Sequence, residues 1–209
     1  MKQARVGFAL LVLLLSSLLN ATHFIKNDLT NSKASNIIED IGNELSSKTG
    51  VYAYVVATNE KFPVGFNLVE YSKRYDSNMS KPFVLLIFAP NALITTKSEA
   101  SGRVGVITSS PDIKKMYDVN DVKDATIDVV AAKDKNSKKD KYTIGIVQGY
   151  SELADQIASS KGVKMTKTIP NETKVIIKYL KYLVFLGSAM VLWIFVIRPI
   201  VVRIRYGKK

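Results

Sequence analysis

The chain has no cysteine and only one histidine, His23, among its 209 residues. The lack of thiols excludes a disulfide framework, a cysteine nucleophile and a thiolate metal site. His23 follows the candidate signal-cleavage point, Ala21, by two residues, and we expect the chain to be loose there. A Ser-His-Asp triad or a histidine-ligated zinc site is therefore not expected.

Several catalytic signatures are also missing. No serine is followed by a lysine three residues later, which is the pattern of penicillin-recognising enzymes. Neither a Gly-x-Gly-x-x-Gly motif nor a phosphate-loop motif occurs. Any enzyme chemistry would therefore rest on carboxylates, with oxygen ligands for a hard divalent ion.

Acidic residues are absent from both ends of the chain, and each end carries an apolar run. The C-terminal run, Tyr179–Ile197, has 19 residues and one charge, Lys181. At about 1.5 Å per residue it is just long enough to cross a hydrocarbon core of roughly 30 Å, so it predicts a transmembrane helix. The basic tail that follows predicts the cytoplasmic side by the positive-inside rule. This tail contains Arg198, Arg203, Arg205, Lys208 and Lys209.

The N-terminal run extends from Val6 to Ala21, follows Lys2 and Arg5, and ends on a small residue. This pattern is typical of a signal peptide. Cleavage would leave a single-pass protein, whereas an uncleaved signal anchor would give two spans. Both alternatives export residues 22–178, which predicts an inner-membrane protein with a periplasmic domain.

The net charge of +12 is concentrated outside the exported part. Residues 22–178 contain 22 basic and 18 acidic side chains, so they carry only +4. The run Lys133–Lys141 alternates with Asp134 and Asp140 and has no aromatic residues, which favours a solvated linker. We expect no nucleic-acid partner.

The first half of the exported part predicts alternating helices and strands. A helix starts at Asn36, where Asn36 and Glu39 have capping-box spacing, and ends at Gly50. The β-branched and aromatic run 51–58 predicts a strand, and 66–75 predicts a second helix. After Lys81-Pro82 the run PFVLLIFA predicts a central strand that is buried on both faces.

The second half predicts two strands, 93–96 and 103–108, around a turn near Ser101-Gly102. Helices are predicted over 112–117, 121–132 and 142–160. This order indicates an α/β fold, a small three-layer sandwich with a mixed sheet flanked by helices. The expected organisation is a signal over 1–21, a linker over 22–35, the domain over 36–160, a juxtamembrane linker over 161–178, a transmembrane helix over 179–202 and a tail over 203–209.

Four stretches carry a family resemblance: NELSSKTGVYAYVVAT, KPFVLLIFAPN, GRVGVITSSP and DKYTIGIVQGYSELADQIA. In this order and spacing the chain resembles the TPM-domain family over residues 36–160. The resemblance implies an exported or lumenal α/β domain, often beside a transmembrane helix. The family includes a plant thylakoid-lumen protein of photosystem II repair, for which acid phosphatase activity has been proposed, and an animal accessory protein of acetylcholine receptor channels. The chain departs from the family at SNMSKPFVLL, which lacks the usual glycine.

The late helix carries one continuous stripe of Ile146, Gly149, Leu153 and Ile157. We expect this stripe to pack, with Gly149 allowing the helix to approach the sheet.

Asp112, Asp118, Asp121, Asp124 and Asp128 form the best catalytic candidate. Asp121, Asp124 and Asp128 are spaced i, i+3 and i+7, so on a helix they share a face and could bind Ca²⁺ or Mg²⁺ and activate water. The alternative is a solvated acidic face, with Asp112 and Asp121 favoured by the helix dipoles.

Two further sites are expected from local patterns. Asp76, Asn78 and Ser80 match the extended acceptor of bacterial N-glycosylation, which makes Asn78 a glycosylation candidate. Gly187, Ser188 and Ala189 form a small-residue patch where another membrane helix could pack.

The sequence favours a structural or accessory subunit of an envelope membrane complex, with a flagellar motor or a secretion machine as candidate hosts. This function requires no cofactor. The alternative is a membrane-tethered, metal-dependent phosphatase that uses the aspartate cluster. The sequence leaves the oligomeric state open.

Overall fold

The computed structural model describes residues 22–95 and 101–207. The chain forms two compact units, one ending at Ile169 and the other beginning at Pro170. The strands are β1 Phe24–Asn27, β2 Tyr52–Ala57, β3 Phe83–Leu93 and β4 Ser101–Thr108. The helices of the first unit are α1 Ser32–Thr49, α2 Leu68–Ser72, a 3₁₀ helix Lys73–Asn78, α3 Pro111–Lys114, α4 Val119–Ala131 and α5 Lys138–Ser160.

The four strands form one mixed sheet in the order β1-β2-β3-β4. The pairs β1/β2 and β2/β3 are parallel, and β3/β4 is antiparallel. Residues 83–90 of β3 are all buried, because helices and loops cover both faces of this central strand. The α/β fold and the central strand are therefore confirmed. The expected turn near Ser101-Gly102 is wrong, because both residues lie in β4, which pairs with the long central strand β3. The expected strand over 93–96 is not separate, since β3 continues to Leu93.

The two faces of the sheet support two apolar clusters. On β2, Ala53 and Val55 belong to the larger cluster, which contains the buried sides of α1, α4 and α5. Tyr54 and Val56 point the other way and pack with Leu68 of α2 in the smaller cluster. This alternation is the period of two expected of a strand, and it places one helical layer on each face.

Gly149 in the stripe of α5 faces helix α4 rather than the sheet. A Cβ atom on Gly149 would lie 1.9 Å from Oγ1 of Thr126 in α4, so a larger residue cannot fit there. The expectation that Gly149 lets α5 approach the sheet is therefore wrong, because the element that α5 approaches at Gly149 is α4. The stripe is confirmed as packing, because Ile146, Leu153 and Ile157 are fully buried.

The segment 22–35 contains the first strand and the start of α1, so the expected linker is wrong. Helix α1 begins at Ser32, and Asn31 caps it by accepting a hydrogen bond from the Ala34 amide. The predicted capping box of Asn36 and Glu39 does not form, because the helix starts four residues earlier. Gly50 ends the helix with φ = 72°, as expected.

His23 is fully buried, which contradicts the expected loose position. Its Nδ1 donates to the Ala53 carbonyl at 2.7 Å, and its Nε2 lies 3.3 Å from Oδ1 of Asn43. Gly42 makes room for the ring, since a Cβ atom there would lie 2.3 Å from Cγ of His23. The Glu39 carboxylate accepts the His23 amide at 2.8 Å, so the residue is fixed by both backbone and side chain.

The second unit is helical: α6 Glu172–Leu192, a π-helical turn Trp193–Ile197, and α7 Arg198–Tyr206. The π turn precedes Pro199, which has no amide hydrogen to continue an α-helical pattern. The stretch Tyr182–Tyr206 is long and apolar enough to cross a membrane, with a mean hydropathy of 2.2 and none of its apolar window buried. The N-terminal run 1–21 lies outside the described residues.

Candidate functional site

A polar network lies at the carboxyl ends of the parallel strands β1 and β2. Lys26 of β1 donates to Oε1 of Glu60 at 2.5 Å and forms an ion pair with Asp28 at 3.2 Å. Asp28 also accepts the Asn59 amide at 3.1 Å, which ties the two strand ends together. Open α/β sheets commonly bind ligands at this edge, so the network occupies a candidate binding site.

Tyrosines from the smaller helical layer extend this network. The Tyr71 hydroxyl donates to Oε1 of Glu60 at 2.9 Å, and the Tyr75 hydroxyl donates to that of Tyr71 at 3.0 Å. The Arg74 guanidinium lies 5.2 Å from the centre of the Tyr71 ring, which is within cation–π range. The network therefore connects β1, β2 and α2.

Protonation in the network is fixed around neutral pH. The hydrogen bond to Glu60 raises the pKa of Lys26 above its usual value, and the same bond lowers the pKa of Glu60. Burial raises the pKa of Tyr71. General acid–base catalysis works best with a pKa near the operating pH, and all three groups are moved away from it. The arrangement is suited to holding strands and helix together.

A second polar centre holds the segment that leads to the C-terminal helix. We call residues 161–169 the C-terminal strap. The Glu44 carboxylate accepts hydrogen bonds from the Thr166 amide at 2.9 Å, the Thr166 hydroxyl at 2.8 Å and the Lys167 amide at 2.8 Å. Lys48 donates to Glu44 at 2.6 Å and to the Lys164 carbonyl at 2.7 Å. The strap is therefore fastened to α1.

Further contacts fasten the strap to α5. The Thr168 hydroxyl donates to Asp155 at 2.8 Å, and the Ile169 amide donates to the Ser151 hydroxyl at 3.2 Å. Met165 is buried in the larger apolar cluster, with Val163 packed against it. The expected juxtamembrane linker over 161–178 is thus wrong for its first part, since 161–169 belong to the folded unit and α6 begins at Glu172.

Glu44 stays ionised over the whole physiological range. Its desolvation by burial raises the pKa, but the hydrogen bonds from Lys48, Thr166 and Lys167 outweigh this effect and lower the pKa to about 2. An ionised acceptor makes each of these hydrogen bonds stronger than a neutral one would. A physiological pH change therefore does not neutralise the acceptor that holds the strap.

Apolar side chains are exposed where the loop after β2 meets the end of β3. The Leu93 amide donates to the Phe62 carbonyl at 3.0 Å. A cavity of about 500 Å³ there is lined by three apolar residues, Phe62, Pro63 and Leu93, and by three polar ones, Lys61, Asn91 and Ser101. Val64, Leu93 and Ile94 are 39%, 38% and 50% exposed. We call these three residues the hairpin-end patch. Contiguous exposed apolar residues are typical of interaction surfaces.

The aspartate cluster lies on and before α4. Asp118 caps the helix by accepting the Asn120 amide at 2.7 Å, and Asp112 pairs with Lys115 at 3.2 Å. Asp121 accepts a hydrogen bond from Gln156 of α5 at 3.2 Å. Within residues 22–95 and 101–207, no group of three or more acidic or histidine side chains is arranged to hold a metal ion. Metal binding by Asp121, Asp124 and Asp128 stays a prediction that titration calorimetry with Ca²⁺ and Mg²⁺ would measure.

The other two expected sites are exposed. Asn78 ends the 3₁₀ helix rather than lying in a loop, and its side chain is accessible to solvent. Ser188 of the small-residue patch donates to the Val184 carbonyl at 2.8 Å within α6, and the space around Gly187 is open. Glycosylation and helix packing stay predictions.

Sequence reasoning missed both polar centres. Lys26 and Asp28 lie in the segment predicted to be a linker. The strand there was missed because its four residues, Phe24–Asn27, are too few to show an alternating pattern. Thr166 and Lys167, which bond to Glu44, lie 122 and 123 positions away from it, and no local sequence pattern predicts such a contact. Comparison with known proteins finds no matching family model and no matching curated protein.

Proposed function

We propose that this chain is a membrane-anchored, exported domain that serves as a structural or accessory subunit of an envelope membrane complex. The observation that carries the proposal is the contrast between a folded unit with its own core and a following helix that exposes its apolar side chains, such as Phe185 and Leu186. Such a helix is stable in lipid, where its backbone groups are satisfied internally.

The proposed orientation places residues 22–169 in the periplasm and the end of the chain in the cytoplasm. Arg198, Arg203 and Arg205 in α7 support this orientation through the positive-inside rule. A fluorescent reporter fused after Lys209 should be active in the cytoplasm. An alkaline phosphatase reporter at the same position should be inactive, and activity there would reverse the topology.

The accessory role is supported by the chemistry of the folded unit. The network of Lys26, Glu60 and Tyr71 is held in fixed protonation states, which suits a structural part. The hairpin-end patch offers an apolar surface to another subunit. We propose a flagellar motor or a secretion machine as the host, and we retain the TPM-like assignment as part of the proposal.

Site-specific crosslinking tests the accessory role. A photoreactive residue at Ile94 should capture a defined membrane protein in native membranes, and one at Ile127, which is similarly exposed on α4, should not. Ile94→Glu should abolish co-purification of that protein in mild detergent while the fold remains intact by circular dichroism. Equal capture from both positions, or co-purification unaffected by Ile94→Glu, would contradict docking through the patch.

A further inference from the structure

The exported charge is concentrated in one short stretch. Residues 22–160 contain 17 basic and 17 acidic side chains and are neutral overall. Residues 161–178 contain five lysines and one acidic residue, Glu172, so they carry +4. The positive charge of the exported part therefore lies entirely in the strap and the beginning of α6.

The strap presents its lysines in a defined way. Val163 and Met165 point into the apolar cluster, while Lys161, Lys164 and Lys167 are exposed. The backbone beneath these lysines is fixed, because Lys164 and Lys167 are the residues whose main-chain groups bond Lys48 and Glu44. Within the part of the chain that the structure describes, no hydrogen bond or ion pair occupies the three ammonium groups. The hydrogen-bonded backbone therefore holds these ammonium groups at the surface, where they can bind an anionic partner.

We propose that the exposed lysines of the C-terminal strap bind anionic phospholipid headgroups and so dock the domain on the exported surface of the membrane. The inference rests on the proposed function, because it requires the C-terminal helix to lie in a bilayer.

The chain itself favours a lipid partner. Five residues lead from Lys167 to Glu172, the first residue of α6, and such a segment can span at most about 18 Å. If α6 enters a bilayer, Lys167 of the strap must lie within this distance of the first residue of α6. Lys174, Lys178 and Lys181 continue the same charge towards the apolar span. Clustered lysines beside a membrane helix are attracted by anionic headgroups over roughly a Debye length of 8 Å.

The absence of cysteine makes a direct test possible. Ser159→Cys gives the full chain one thiol at an exposed position beside the strap. A donor dye on this thiol and an acceptor dye on a headgroup report docking by energy transfer in reconstituted vesicles. We expect higher transfer in phosphatidylcholine mixed with phosphatidylglycerol than in phosphatidylcholine alone, and loss of the difference at high salt.

Two triple variants give the matched comparison. Changing Lys161, Lys164 and Lys167 to glutamine should lower the ratio of docked to undocked domain about fivefold for each lysine removed. Making the same change at Lys133 and Lys135, which are exposed on the connection from α4 to α5, and at Lys138, the exposed first residue of α5, should leave it unchanged. Equal transfer in the two lipid mixtures, or equal loss in both triple variants, would overturn the inference.

Vesicle flotation separates this inference from the proposed function. A chain that floats with vesicles and resists salt extraction, but whose energy transfer is independent of lipid charge, would refute strap docking alone. A chain that does not float would refute the membrane anchor and the inference together.

Discussion

Helices α5 and α6 have similar lengths, 23 and 21 residues, but their apolar side chains have opposite environments. In α5, Leu153 and Ile157 are fully buried. In α6, Leu183 and Leu186 are each 68% exposed. The first helix is covered by protein, whereas the second exposes its apolar side chains, as a helix suited to a membrane does.

The difference shows that one chain holds an apolar helix inside a protein core and leaves another apolar helix uncovered. Both faces of the sheet in the folded unit are covered by elements of that unit itself. Each of the following substitutions tests one side of this contrast.

The largest effect is expected from arginine in the apolar helix. Val191→Arg with Ile194→Arg should disfavour insertion by about 5–7 kcal/mol, since each arginine near the centre of a span costs about 2.5–3.5 kcal/mol. The variant should leave the carbonate-resistant membrane fraction, while leucine at both positions should stay in it. Retention of the arginine variant would contradict the assignment of α6 as a span.

Truncating a leucine should affect the two helices very differently. Leu153→Ala should lower the free energy of unfolding of the first unit by about 2–5 kcal/mol, because it leaves a cavity in the core. Leu186→Ala should change it by less than about 0.5 kcal/mol. Denaturant unfolding of the full chain in detergent, followed by circular dichroism, measures both. Similar losses in the two variants would mean that α6 contributes to the core.

Replacing one glycine by alanine in each helix should also affect the stability of the first unit differently. Gly149→Ala should destabilise the first unit by about 1–3 kcal/mol, because the new Cβ clashes with Thr126. Gly187→Ala is the matched control, since nothing lies near a Cβ atom there. If both substitutions proved neutral in the same unfolding experiment, the close approach of α4 and α5 would be wrong.

A smaller effect is expected in the strap that connects the two helices. Glu44→Gln should cost about 1–2 kcal/mol and speed amide hydrogen exchange at Thr166 and Lys167, because an amide replaces an ionised acceptor. The pKa of Glu44 is lowered to about 2 in the folded chain, so its contribution is complete above the unfolded value near 4.3 and is lost as pH falls towards 2. The pH dependence of exchange between these values should disappear in Glu44→Gln. An unchanged profile would exclude Glu44 as its origin.

The elements with strong local signals could be predicted from the sequence. The run 83–90 has eight buried residues in succession, and the stripe of α5 has a clear helical period, so both were found. Boundaries were less accurate, since the start of α1 depends on Asn31 rather than on the expected Asn36.

The parts that failed depend on distant contacts. His23 was expected to be loose because nothing near it in sequence holds it, but its partners are Glu39, Asn43 and Ala53. The strap has the polar sequence of a linker, and the residue that fixes it, Glu44, lies more than a hundred residues earlier in the chain. Tertiary context determines such positions, and local patterning carries no information about them.

The burial of His23 also limits how far the amino end of the domain can be trimmed. Thr22 is exposed, whereas the next residue fills the space above Gly42 and supplies an amide to the Glu39 carboxylate. Cleavage that leaves His23 in place keeps these contacts, whereas removal of His23 would leave a cavity above Gly42 and take away the bond that its carbonyl accepts from the Val55 amide of β2. We expect trimming past Thr22 to lower the stability of the domain.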